Sequence, residues 1–83
     1  MEKYRELISS RARMYALNLI NIILERYTDA KVYYNKVMRK IAISRPYCIV
    51  YISHENLEIY ANDYDKGQKA LLDILIGLEC EGN

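Results

Sequence analysis

The residues that could act as nucleophiles, bases or metal ligands are few and widely separated in this sequence. It has one histidine, His54, and two cysteines, Cys48 and Cys80. A catalytic serine or cysteine needs a base within hydrogen-bonding reach, and a zinc site needs His and Cys ligands at short spacings. No such motif surrounds these residues. We therefore expect no catalytic residue, no metal site and no cofactor, and we do not expect an enzyme.

The two cysteines are too few to indicate a disulfide framework. Cys48 lies in an apolar run, so we expect it to be a small buried hydrophobic residue. Cys80 lies near the C-terminal end of the sequence, where we expect the more reactive or cross-linking thiol. His54 follows an apolar segment and is expected at the tip of a turn.

The acidic segment NDYDKG, residues 62–67, contains carboxylates and a glycine, as calcium loops do. Aligning Gly67 with the glycine of such a loop places Tyr64 and Lys66 where oxygen ligands are required, which excludes a calcium site of this kind. Asp63 and Asp65 are better explained as turn and capping residues at the start of a helix.

Basic residues are concentrated in the first half of the chain. Residues 1–46 hold ten Lys or Arg and four Asp or Glu, whereas residues 47–83 hold two and seven. Such asymmetry is typical either of a basic binding face or of two complementary halves. The most basic segment is 31–45. Its candidate nucleic-acid contacts are Lys31, Asn35, Lys36, Arg39, Lys40 and Arg45.

The first part of the chain has the apolar periodicity of a helix. Apolar residues recur at helical spacing over 2–27 without Gly or Pro, which predicts one long helix. Ser9 and Ser10 are good N-caps, so the alternative is a short helix at 2–8 followed by a main helix at 11–27.

A second amphipathic helix is predicted from residue 29 to about 43. Apolar residues from Ala30 to Ile41 recur at helical spacing, and the lysines lie on the opposite side. The Val-Tyr-Tyr run at 32–34 also favours a strand, so an extended conformation over 31–38 is the alternative.

The stretch PYCIVYISHENLEIYA, residues 46–61, has the alternating pattern of a β-hairpin. With Ile52 opposite Leu57, residues 53–56 form a four-residue loop. One face of this hairpin is aliphatic and consists of Cys48, Val50, Ile52, Leu57, Ile59 and Ala61. The other face is rich in tyrosine and consists of Tyr47, Ile49, Tyr51, Glu58 and Tyr60.

A C-terminal helix is predicted to start after Asp65, which could cap it, with Gln68 at the capping-box position. Its apolar surface extends from Leu71 to Leu78. The expected element order is therefore α-α-β-β-α, an α+β fold in which one antiparallel hairpin packs against three helices. A chain of 83 residues is expected to form a single small domain, 1–83.

Three helices can cover one face of such a hairpin, but so short a chain lacks the elements to cover both. The aliphatic face should meet the helices, which leaves the tyrosine-rich face partly exposed. Tyrosine is common at interfaces because it buries a large area and keeps a polar tip. We therefore expect a non-enzymatic interaction module, such as a small regulator or inhibitor. It would form a homodimer or dock on a partner protein through Tyr47, Ile49, Tyr51, Glu58 and Tyr60.

The alternative function is that of a DNA-binding transcriptional regulator. Two helices, of which the second is basic, followed by a hairpin resemble a winged-helix DNA-binding domain in their order. The resemblance implies that TDAKVYYNKVMRKI, residues 28–41, is the recognition helix and that the hairpin is the wing. The tip of that wing would carry Glu55, although phosphate contacts require Lys or Arg.

No segment predicts membrane insertion or secretion. The main apolar stretch, from Met14 to Leu24, spans eleven residues and includes Asn18 and Asn21, whereas a bilayer requires about 20. The residues before it are charged throughout and contain no signal-peptide cleavage site. We therefore expect a cytoplasmic protein.

Overall fold

The computed structural model describes residues 8–80, which form a layer of helices on one antiparallel sheet. The elements in this range are α1 (Ser10–Arg26), β1 (Lys31–Asn35), β2 (Lys40–Arg45), β3 (Cys48–Ser53), α2 (His54–Asn62) and α3 (Tyr64–Gly77). The strands are adjacent in chain order, with β2 in the centre. The predicted α+β class is confirmed, but the order over the described residues is α-β-β-β-α-α rather than α-α-β-β-α.

Helix α1 begins at a serine cap. Ser9 is extended, and its Oγ accepts a hydrogen bond from the Ala12 N–H at 3.1 Å, which satisfies one of the free donors of the first turn. The Glu58 carboxylate accepts hydrogen bonds from the N–H and the hydroxyl of Ser9 at 2.7 and 2.8 Å. The single helix predicted over 2–27 is wrong, because Ser9 is extended, and the alternative of a main helix with a serine cap is confirmed. The helix predicted at 2–8 lies outside the described residues except for Ile8, which is not helical.

The second helix predicted at 29–43 is wrong, because this segment forms β1, a turn and β2. The extended alternative is confirmed over Lys31–Asn35. Asn35 shapes the turn: its carbonyl accepts from the Arg39 N–H at 2.8 Å, and its Oδ1 accepts from the Met38 N–H at 3.0 Å. Arg39 has a φ of 58°, a left-handed conformation that is incompatible with a continuous helix.

Strand β3 pairs with β2 instead of with the residues that follow it. The register places Ile52 opposite Ile41 and Val50 opposite Ile43, so the hairpin predicted over 46–61 is wrong in its second strand. These cross-strand pairs of β-branched residues stabilise the strand conformation of both segments. The sheet therefore has three strands rather than the predicted two.

The residues predicted as the hairpin loop and second strand form helix α2. Ser53 caps this helix, since its Oγ accepts a hydrogen bond from the Asn56 N–H at 3.1 Å. His54 was expected at the tip of a turn, but it is the first residue of α2. Its ring stacks on Tyr34 with 5.5 Å between the centroids.

Helix α3 is capped by Asp63, whose Oδ1 accepts a hydrogen bond from the Lys66 N–H at 3.1 Å. The cap predicted at Asp65 is therefore wrong by two residues. Gly67 lies where α3 meets α2, and a Cβ at this position would lie 2.6 Å from the carbonyl oxygen of Tyr60. The two helices can approach this closely because Gly67 has no side chain.

The core lies between the helices and one face of the sheet. It includes Ala12, Ala16, Leu19 and Ile23 of α1, Ile41, Ile43 and Ile52 of the sheet, Leu57 of α2, and Ile74 and Leu78 at the end of α3. Burial of these side chains is the main favourable contribution to folding. All three helices of residues 8–80 contribute to this one core, so the opposite face of the sheet has no helical layer in this range.

A disulfide joins Cys48 and Cys80, with 5.3 Å between the Cα atoms. It connects the first residue of β3 to the residues that follow α3. The free buried thiol expected at Cys48 is wrong, whereas Cys80 does form a cross-link, because the fold brings these two distant segments together.

Candidate interaction surface

One face of the sheet is open. Successive residues of a strand face opposite sides, and on β1 and β3 every second side chain stays exposed. Tyr33 exposes 46% of its surface, and Ile49 and Tyr51 expose 41% and 37%. Ala42, in the central strand, pairs with Tyr33 on one side and Tyr51 on the other. It is fully buried, although it lies between two partly exposed tyrosines.

We call this surface the open sheet face. It is formed by Lys31, Tyr33, Lys40, Ala42, Ser44, Ile49 and Tyr51. Tyr47 lies in the two-residue turn between β2 and β3 and is strongly exposed. Of the predicted interface residues, Ile49 and Tyr51 therefore lie on one exposed surface, and Tyr47 lies in the turn that precedes β3.

The other two residues predicted for this interface, Glu58 and Tyr60, lie on α2 instead. Hydrogen bonds from the backbone N–H and the hydroxyl of Ser9 hold the Glu58 carboxylate and lower its pKa. The Tyr60 ring packs against the Tyr15 ring with 6.0 Å between centroids. Alternation along a strand would place both residues on the tyrosine-rich face. On a helix, residues two positions apart do not share a face, so the same spacing no longer groups them with Tyr51.

The sheet is basic. The sequence from 30 to 54 contains five Lys or Arg and no Asp or Glu. Lys31 and Lys40 belong to the open sheet face, and Lys36 and Arg39 lie in the exposed turn between β1 and β2. Aromatic area and positive charge are therefore combined on one side of the molecule.

Arg45, one of the candidate nucleic-acid contacts, is engaged within the fold. Its guanidinium donates to the Asp29 carboxylate at 2.9 and 3.4 Å, lies 4.2 Å from the centroid of the Tyr27 ring and donates to the Leu78 carbonyl. The hydrogen bond from Arg45 lowers the pKa of Asp29. Asn35 is likewise used in the turn after β1. Arg45 thus joins distant parts of the fold and Asn35 stabilises a turn, whereas the other four candidates remain on the sheet and its turn.

Sequence reasoning missed Tyr33 as part of the surface and placed Lys31 and Lys40 on a helix. The signal that could have found them is the Val-Tyr-Tyr run at 32–34, since β-branched and aromatic residues favour strands. Alternation within a strand then places Tyr33 on the opposite side of the sheet from its two neighbours.

A cleft of about 470 Å³ lies between α1 and α3. Its described lining consists of aliphatic side chains, Gly67, Tyr15 and three amides, those of Asn18, Asn21 and Gln68. The Tyr15 hydroxyl donates to the Gly67 carbonyl at 2.7 Å, and burial raises the pKa of Tyr15. The described lining residues include no carboxylate, imidazole or thiol, so this cleft offers binding contacts but no acid–base pair.

Within residues 8–80, no group of three or more His, Cys, Asp or Glu side chains is arranged to hold a metal ion. None of the helices in the described part of the chain combines the length and apolar character that crossing a bilayer requires. Comparison of the chain with protein-family models, with curated proteins and with solved structures finds no match. A function is therefore inferred from the surface itself.

Proposed function

We propose that the protein is a non-enzymatic interaction module that docks another protein on the open sheet face. The observation that carries this proposal is the exposed row of Tyr33, Ile49 and Tyr51 on a sheet whose other face is buried under helices. Large side chains on such a surface lose their contact with water when a partner binds, which favours association. Tyrosine adds a hydroxyl that can form a hydrogen bond with the partner.

The partner is expected to present an apolar surface bordered by Asp or Glu. Lys31 and Lys40 border the tyrosines, and the sheet has no carboxylate of its own. Complementary charge accelerates encounter and disfavours partners with basic surfaces. A second copy that used the same face would offer these lysines no carboxylate, because a two-fold interface brings the same patch of both copies together. A different protein therefore fits this face better than a second copy does.

Tyr51→Glu is expected to weaken binding of this partner at least about tenfold, because it places a charge in the centre of the apolar row. The matched control is Tyr64→Glu, which makes the same change at an exposed residue of α3. Immobilised wild type and both variants are used to capture proteins from the source cells. A protein retained by the wild type is then purified and titrated by calorimetry against all three.

The proposal requires that Tyr64→Glu binds this protein as the wild type does and that Tyr51→Glu does not. Equal affinities of the wild type and Tyr51→Glu for every captured protein would exclude the open sheet face as the docking surface.

A second candidate function is the binding of single-stranded nucleic acid. One observation favours it: Tyr33 and Tyr51 share a face with Lys31 and Lys40. Bases stack on exposed aromatic rings of a sheet while nearby cations contact the phosphates. The resemblance to a winged-helix domain does not support this function, because the segment 31–45 forms two strands and a turn and contains no recognition helix.

Charge reversal of Lys36 and Arg39 to Glu is expected to weaken this binding and to reduce its salt dependence. Loss of two phosphate contacts lowers the slope of log affinity against log salt by about 1.4 for a single strand. Fluorescence anisotropy with a labelled single-stranded oligonucleotide measures both effects. The matched control reverses Lys66 and Lys69, which lie on α3. If the wild type does not bind the oligonucleotide at low salt, the protein is not a nucleic-acid-binding module of this kind.

The cytoplasmic location expected from the sequence stays a prediction, and the Cys48–Cys80 pairing weighs against it. Thiols are generally kept reduced in the cytosol, whereas disulfides persist in oxidising compartments. An oxidising compartment is therefore the location that the disulfide supports.

A further inference from the structure

Helix α1 is apolar on two opposite sides. One side, with Ala12, Ala16, Leu19 and Ile23, is buried in the core. On the other side Met14, Leu17 and Leu24 expose 58%, 52% and 39% of their surfaces. Together with the exposed Asn21, which also lies at the cleft between α1 and α3, they form what we call the outer stripe: Met14, Leu17, Asn21 and Leu24. Packing in the core explains why the first side of the helix is apolar, but it does not explain the apolar residues on the second side.

The outer stripe has the spacing of a coiled-coil seam. Intervals of three, four and three residues place Met14 and Asn21 at the a positions of a heptad and Leu17 and Leu24 at the d positions. The buried residues of α1 then fall at the c and f positions, on the opposite side of the helix. Packing against the core therefore leaves the whole a/d seam accessible to another helix.

Asn21 indicates that the helix bound by this seam is α1 of a second copy. An asparagine amide carries both a donor and an acceptor, so it can pair with the same amide of an identical helix in a parallel, in-register dimer. In a fully overlapping antiparallel arrangement Asn21 would face Leu17 of the second copy, which buries the amide without a partner. We propose that the outer stripe of α1 binds the outer stripe of a second copy, with the two helices parallel.

The charges beside the seam are compatible with this arrangement. In the parallel register Arg13 faces Asn18 of the second copy, and Ile20 faces Glu25. No pair of like charges is brought together at these flanking positions, and such pairs would oppose association. The two-fold axis of this dimer runs along the helices, and the open sheet face remains free for a different partner.

The size of the seam determines the strength of the dimer. Four layers over eleven residues extend about 15 Å along a helix. The outer stripe contributes four residues from each copy, whereas a standard stable interface involves about 20–30 residues on each side. The seam is therefore at the small end of specific interfaces. We expect a reversible dimer that forms in the micromolar range and dissociates on dilution.

Sedimentation velocity over a concentration series up to about 1 mM tests this dimer. The wild-type mass should rise from monomer towards dimer. Leu17→Glu should raise the dissociation constant at least about tenfold, since it places two carboxylates across the seam. The matched control Leu72→Glu changes a leucine of α3 that is slightly more exposed than Leu17, and it should dimerise as the wild type does. Circular dichroism confirms that each variant is folded.

Asn21→Leu provides a second measurement that does not depend on loss of function. Replacing a polar residue at an a position removes the cost of burying it, so this variant should dimerise at least about tenfold more tightly than the wild type. A wild type that stays monomeric at every concentration overturns the proposal. So does a dimer that Tyr51→Glu abolishes and Leu17→Glu leaves intact, because that dimer would use the open sheet face.

Discussion

Reduction of the Cys48–Cys80 disulfide is expected to lower the free energy of unfolding by about 3–4 kcal/mol. The bond joins residues separated by 32 positions, and closing a loop of that length removes conformational freedom mainly from the unfolded chain. A domain of this size is stabilised in total by roughly 4–12 kcal/mol. The disulfide therefore supplies a large part of the stability, and the midpoint of thermal unfolding should fall by roughly 12–30 °C on reduction.

Unfolding in guanidinium chloride with and without reductant, followed by circular dichroism, measures this difference. The control is the double variant Cys48→Ser/Cys80→Ser, which should match the reduced wild type and should not respond to reductant. Two titratable thiols in the denatured, unreduced wild type would show that Cys48 and Cys80 are not paired. An unchanged midpoint after complete reduction would show that the bond contributes nothing to stability.

Leu57→Ala is expected to lower the free energy of unfolding by about 2–5 kcal/mol, because the side chain is fully buried and its removal leaves a cavity in the core. Ile59→Ala is the matched control two residues further along α2. Ile59 is exposed, so its truncation is expected to cost less than about 1 kcal/mol. Denaturant unfolding of both variants, analysed with a common slope, gives the two differences.

The comparison of Leu57 with Ile59 also distinguishes a helix from a strand. Residues two apart lie on the same face of a strand but on nearly opposite sides of a helix. A hairpin over 46–61 predicts similar losses for the two variants, since both side chains would lie on its aliphatic face. Helix α2 predicts a large loss of unfolding free energy for Leu57→Ala and a small one for Ile59→Ala. Equal losses would therefore contradict α2.

The sequence was read correctly where the deciding interaction is local. Ser9 was recognised as a helix cap, and its Oγ does bond to the N–H three residues later. The C-terminal helix was also found, although its cap was placed at Asp65 instead of Asp63. Both aspartates are suitable N-cap residues. The residue preference for N-caps contains no information on the close approach of α3 to α2 at Gly67.

The segment 29–43 was predicted wrongly because its apolar residues fit both the helical and the strand periodicity. Their spacing is compatible with one side of a helix, yet Ile41 and Ile43 also alternate as strand residues do. Their buried strand positions depend on pairing with Ile52 and Val50, which lie eleven and seven residues further along the chain. Strand β3 pairs with β2, and the residues after Ser53, which caps the next helix, form α2.

The residues predicted for the interaction surface are brought together only in part, for the same reason. Ile49 and Tyr51 were placed together by alternation along a segment that is a strand, and both are exposed on the open sheet face. Glu58 and Tyr60 were placed there by alternation along a segment that is a helix. Tyr33 was absent from the prediction because β1 had been assigned to a helix.

The amino-acid sequence was sufficient for the α+β class, for the main part of α1, for the strand β3 and for a helix near the C-terminal end. These features follow from periodicity and capping among neighbouring residues, whose energies depend on the local chain. The tertiary structure alone decided that β2 joins β1 to β3, that Cys48 meets Cys80 and that the outer stripe of α1 faces away from the core. Each of these depends on which distant segments bury their apolar surfaces against each other, and spacing along the chain does not specify that choice.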